Sequence, residues 1–170
     1  MHTIHALRQK IFLSIVLFSA AVFLAACGTN TGGIGTGTTV SPTPTLATVR
    51  GYGTAHGCPN DVVVSATPTA PDVKILPEQG ARTINAHKGN LLEIQMPFGV
   101  VWEGPTTSQG ALQLQSPYGY AWKESNACIW RFIAKDTGTV GLDFYGRAIC
   151  KKVTLCTPSV SIASFTIKVS

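Results

Sequence analysis

Five cysteines, Cys27, Cys58, Cys128, Cys150 and Cys156, are the residues of this 170-residue chain best suited to chemistry. A thiol can pair oxidatively, ligate a metal or attack a substrate, and spacing helps to separate these uses. Cys150 and Cys156 form a Cys-x5-Cys step, which lacks the close Cys-x2-4-Cys spacing of a zinc knuckle. Beyond the first ten residues the imidazoles are His56 and His87, with His56 two residues before Cys58. No metal centre is expected from this set. Catalysis has little footing either: the chain has no Gly-x-Ser-x-Gly elbow, no His-Glu-x-x-His and no glycine-rich phosphate loop. His56 stands beside a glycine and His87 beside a lysine, as in exposed turns. Glu93 and Asp143 are the carboxylates inside expected strands, and alternation points both outward. Neither an enzyme nor a cofactor is expected.

The N-terminus speaks about place. MHTIHALRQK carries Arg8 and Lys10 and no acid, and Ile11 to Ala26 is uncharged. A basic start, an apolar stretch shorter than the ~20 residues of a comfortable bilayer span and small residues at its end form an export signal over 1–26. Leu24-Ala25-Ala26-Cys27 resembles the lipobox of bacterial lipoproteins. That resemblance implies cleavage before Cys27 and a diacylglyceryl group on its sulfur, two acyl chains being enough for a stable anchor. An ordinary signal cut after Ala26, or an uncleaved single-pass helix with Lys10 inside, are the alternatives. Residues 27–57 then read as the lipidated N-terminus and a tether. From Gly28 to Val49 there is no charge and much Gly, Thr and Pro, a composition that cannot bury enough surface to fold. As a flexible chain it would hold the domain on the order of 25 Å from the lipid.

With Cys27 given to lipid, Cys58, Cys128, Cys150 and Cys156 make an even set in an oxidising compartment. Four cysteines allow three connectivities, and Cys58–Cys128 with Cys150–Cys156 is the favoured one. By loop-closure entropy, loops of about seventy and about seven residues would contribute ~4.4 and ~2.4 kcal/mol. The apolar signal inflates the hydrophobic fraction of 45% and the mean hydropathy of +0.23. The net charge of +5 falls to +3 without Arg8 and Lys10. Lys151-Lys152 is the only basic pair in what remains, so no stripe suited to nucleic acid exists.

The remaining 58–170 is one domain. Short β-rich runs alternate with turn residues: 61–65, 73–76, 82–86, 91–96, 99–103, 111–115, 129–134, 140–145 and 163–169. Leu92, Ile94 and Met96 share one face against Glu93 and Gln95, and Phe165, Ile167 and Val169 share another against Thr166 and Lys168, the period of half-buried strands. Lys135-Asp136-Thr137-Gly138 reads as a hairpin turn joining 129–134 to 139–145, and the last strand returns beside the latter. No window of eleven or more residues shows a helical period. The expected fold is all-β, an immunoglobulin-like antiparallel sandwich of about eight strands after a signal helix and a flexible tether.

Three stretches, AHKGNLLEIQMP, IWRFIAKDTGTVGLDFYGR and ASFTIKVS, are similar in order and pattern to the chagasin-type cysteine-protease inhibitors, which are small immunoglobulin-like domains. The resemblance implies inhibition of papain-type proteases by loops inserted into the enzyme cleft. Its first loop falls on 97–102, where Pro97, Gly99 and Trp102 match and the family's Asn and Thr residues do not occur. Its late loop falls on 147–149, where Arg147 alone matches.

SPYGYAWKES concentrates Tyr118, Tyr120 and Trp122, a composition that makes efficient contact surfaces. The competing reading packs 118, 120 and 122 on one face of a strand, and Trp102 and Trp130 read as core. The sequence thus points to a lipid-anchored, extracytoplasmic, non-catalytic module on the cell membrane that recognises a protein or an envelope glycan. Tyr118, Tyr120, Trp122, Arg147, Lys151 and Lys152 are its candidate contacts, and chagasin-like inhibition is the alternative.

Overall fold

The computed structural model describes residues 44–150 and 159–170. Eleven strands form two sheets. The first contains β1 (Leu46–Thr48), β2 (Val62–Val64), β8 (Tyr120–Trp122), β9 (Ala127–Ala134), β5 (Leu91–Pro97) and β3 (Val73–Ile75) in that order, with β7 (Leu112–Leu114) also paired to β9. The second runs β4 (Thr83–Ala86), β11 (Val160–Val169), β10 (Gly138–Ala148), β6 (Val100–Glu103). Helix is confined to α1 (Tyr52–Ala55) and a 3-10 turn at Pro77–Gln79 among the described residues.

The all-β sandwich expected from alternation is present, but it is mixed rather than wholly antiparallel. β2 runs parallel to β8, β3 to β5 and β4 to β11. The 135–137 connection is not a hairpin. β9 belongs to the first sheet and β10 to the second, and Lys135 and Asp136 donate their N–H groups to the Ala111 carbonyl instead. Both strands carry an apolar row that must meet the same core, and placing them in opposed sheets buries both. The expected return of the last strand beside 138–148 does occur, with β10 and β11 antiparallel from Gly138↔Val169 to Arg147↔Val160. The folded part also takes in residues ahead of Cys58: β1 pairs with β2, and α1 follows, in what the composition assigns to the tether.

The core lies between the sheets. Leu92, Ile94, Met96, Trp130 and Phe132 from the first sheet meet Trp102, Leu142, Phe144, Phe165 and Ile167 from the second. Phe144 sits edge-on to both Trp130 and Phe165, with ring centroids 5.0 and 5.8 Å apart, the geometry that aromatic quadrupoles favour. Cys58 and Cys128 form a disulfide spanning 70 residues. It ties the start of the domain to the first residues of β9, a central strand of the first sheet. Cys150 is disulfide-bonded, while Cys156, and with it the expected Cys150–Cys156 pairing, lies outside the described residues. So do the signal segment, Cys27, Lys151 and Lys152.

A second, smaller apolar cluster forms on the outer face of the first sheet from Val64, Tyr120, Ala127 and Ile129, with Val62 and Trp122 against it. Residues 65–72 cross this face as a strap between β2 and β3. The strap is pinned at Thr69, whose carbonyl accepts from Arg131 Nη2 at 2.7 Å, and at Asp72, which exchanges bonds of 2.7 and 2.9 Å with the backbone of Leu91. Glu93 does point outward from the sheet, yet only 1% of it is exposed. Arg131 Nε donates to Glu93 Oε2 at 2.7 Å and Gln95 Nε2 to Oε1 at 2.6 Å. A carboxylate buried this way survives because its charge is paired and its oxygens are hydrogen-bonded.

Candidate interaction surface

One end of the sandwich gathers the 97–99 turn, the 123–126 turn between β8 and β9, α1 and the end of β10. Phe98 N–H donates to the Asn126 carbonyl at 3.0 Å, and Gly99, at φ 93°, turns the chain from the first sheet into the second. The turn is braced from behind. Gly99 N–H donates to the His56 carbonyl at 3.2 Å and Trp102 N–H to the Gly57 carbonyl at 2.8 Å. Position 57 must be glycine, since a Cβ there would lie 1.8 Å from the Val100 carbonyl oxygen.

Side chains extend the brace. The rings of Tyr52 and His56 lie 4.3 Å apart and those of His56 and Phe98 4.7 Å, while Lys123 Nζ sits 4.8 Å above the Tyr52 ring, within cation–π range. His56 Nδ1 is 2.8 Å from the Tyr52 carbonyl. Asp61 accepts from the N–H groups of Gly51 and Thr54 and from the Thr54 hydroxyl. The Gly51 and Thr54 amides hold its carboxyl below the ordinary aspartate value, because they favour the charged form. With Cys58 disulfide-bonded to Cys128, the thiol is not available as a metal ligand beside His56.

The residues singled out by resemblance divide. Pro97, Gly99 and Arg147 are exposed at this end. Trp102 is buried, and its Nε1 donates to the Pro97 carbonyl at 2.8 Å. It shapes the turn from inside. Pairing of β6 with β10 sets Val100 opposite Ala148 and Val101 opposite Arg147, so the two stretches share one end of the fold. Arg147 Nη2 also lies 3.6 Å from Glu103 Oε1, both side chains being largely exposed.

The aromatics of 116–125 do not form one exposed patch. Tyr118 packs against the main core, whereas Tyr120 is buried in the outer cluster with Trp122 beside it. Strict alternation would put 118 and 120 on one face. Gly119, at φ 61°, breaks it, donating its N–H to Ile129 and accepting from Asn60. Burial pushes the Tyr120 phenol up to about 12. The bracing turn at 52–57 is not legible in the sequence, because Gly51, Gly53 and Gly57 resemble tether composition; the His56-Gly57-Cys58 run is its one signal.

No family model and no curated protein matches the chain. Among solved structures it is similar to the crystal structure of the cysteine protease inhibitor EhICP2 from Entamoeba histolytica, at 12% identity over 58% of this chain and 94% of that one, with a TM-score of 0.37. It is also similar to the solution structure of Amebosin, at 14% identity over 59% and 100% of the two chains, with a TM-score of 0.35. Superpositions of that quality fix neither fold nor function.

Proposed function

We propose that the domain is a non-catalytic inhibitor of papain-type cysteine proteases, held outside the cytoplasmic membrane by lipid on Cys27. One observation supports the inhibitory reading above the others. The two stretches to which the sequence resemblance gives the wedge, 97–102 and 147–149, are far apart in the chain and are joined side by side through β6 and β10 at one end. The first of them is also stiffened before any partner arrives, by the His56 and Gly57 carbonyls and by Trp102 behind the turn. A pre-ordered turn loses little freedom on docking, which is how small inhibitors convert modest area into affinity. Pro97, Gly99 and Arg147 are the contact residues in this reading, Phe98 and Trp102 their supports.

Titrating papain with the full chain in detergent tests it. Stoichiometric loss of protease activity at micromolar inhibitor is expected, with Arg147→Ala weakening inhibition about tenfold, the ~1.4 kcal/mol of one exposed charged contact. Undiminished protease activity at that concentration would remove the reading, leaving a binding module for another protein or an envelope glycan. The anchor is tested separately by intact mass, which should show a mature chain starting at Cys27 with added acyl mass.

A further inference from the structure

β10 has a neighbour along nearly its whole length on one side and along less than half on the other. β11 pairs with it from Gly138 to Arg147, whereas β6 reaches only from Tyr145 to Ala148. In an antiparallel strand each residue sends its N–H and C=O to the same side and successive residues alternate. Every second residue between Thr139 and Phe144 therefore aims both groups at the side that β6 does not reach. Among the described residues, none of these positions makes a backbone hydrogen bond outside the strand ladders. The open stretch of six residues is about 20 Å long.

A groove of about 420 Å³ lies against this edge, between Gly141 and Asp143 of β10 and the Thr106 and Thr107 loop, with Glu103 and Tyr145 at one end. Its charge is negative. Among the described residues Asp143 meets no cation, and its hydrogen bond comes from the neutral Ser164 hydroxyl at 2.6 Å. Glu103 has Arg147 at 3.6 Å, but their side chains are 59% and 63% exposed, so water screens that pair. Gly141 leaves the floor clear: a Cβ placed there touches nothing within 4 Å.

We infer that this edge is a strand-addition site for an extended peptide bearing a lysine or arginine. The peptide backbone takes the ladder positions that β6 leaves unfilled beside 139–144, and its cation sits between Asp143 and Glu103. Main-chain bonds supply affinity and the carboxylates supply selectivity, the division of labour usual in strand addition. The site lies along the second sheet, away from the 97–99 turn, and does not depend on protease inhibition.

The test uses the full chain, isotope-labelled in detergent, and a capped six-residue peptide of alternating threonine and valine with one lysine. Binding should slow amide exchange within 139–144 and nowhere else. Replacing the lysine by glutamate, or Asp143→Asn in the protein, should each weaken binding at least tenfold; Asn keeps an acceptor for Ser164, so the fold is retained. Of two peptides N-methylated on alternate sets of nitrogens, one should lose binding entirely. Equal binding by both methylated peptides, protection outside 139–144, or indifference to both charge changes would overturn the proposal. So would absence of peptide binding at millimolar concentration, which would leave the carboxylates as guards against edge-to-edge aggregation. Cellotetraose perturbing these amides where the peptides do not would assign the groove to a neutral glycan instead.

Discussion

The two sheets treat their outer faces in opposite ways. On the first, residues 65–72 cross over the strands, bonded to Arg131 and Leu91, and the outward-facing Tyr120, Ile129, Glu93 and Gln95 are all buried. On the second nothing among the described residues crosses, and Val101, Tyr145, Val160 and Ile162 remain between 40% and 63% exposed on paired positions of β6, β10 and β11. Both faces alternate equally well in sequence. Alternation reports which side chains leave the main core; it does not report whether another segment then covers them. The covered face has become a second interior, with an ion pair under its lid, while the bare face is available as surface.

Mutations can break this contrast. The largest effect is expected from Arg131→Ala, which strands the Glu93 carboxylate without its partner and should cost ~3–5 kcal/mol in urea unfolding. Replacing Glu93 and Arg131 together by leucine and methionine should recover most of that loss, since a buried ion pair and an apolar pair of similar volume are often close in free energy. If Arg131→Ala proves mild, the strap does not seal the face.

Alkaline unfolding probes the same interior more gently. The Tyr120 phenol is raised to about 12 in the fold. The stability it contributes is therefore fully present below the ordinary tyrosine value near 10 and disappears as pH climbs from about 10 to about 12, by on the order of 2 kcal/mol. Tyr120→Phe should remove that part of the pH dependence, and an unchanged profile would mean that the hydroxyl is well hydrated. The smallest effect belongs to the bare face: Ile162→Thr should shift unfolding by no more than about 0.5 kcal/mol. A loss of several times that size would show that the second sheet is covered after all.

Much of the frame was legible in the residues. Nine of the eleven strands fall on runs chosen for period-two patterning, and Leu92, Ile94, Met96, Phe165, Ile167 and Val169 face inward as expected. The Cys58–Cys128 pairing follows the favoured connectivity. What escaped has physical reasons. β1 is a three-residue edge strand inside Thr- and Pro-rich chain, too short to carry a pattern. β8 is equally short, and the kink at Gly119 hides its phase. Lys135-Asp136-Thr137-Gly138 has the composition of a hairpin, but composition cannot say whether the two strands it joins share a sheet. Burial of Glu93 is invisible because its partner Arg131 is held by a strap that contains no large apolar residue to announce it. At the loop end, Pro97, Gly99 and Arg147 could be picked from resemblance, whereas their bracing by α1 required the fold.

The Cys58–Cys128 bridge also decides how the molecule would answer a pull on its leading end. Residues ahead of position 58 are held by β1, α1 and a handful of hydrogen bonds, and tension there would peel them away first. At Cys58 the load would pass through sulfur into β9 at the middle of the first sheet, so that residues 59–127, enclosed by the bridge, are bypassed rather than unravelled. Reduction would abolish that stop, converting a mechanically limited extension into progressive unzipping of the same sheet.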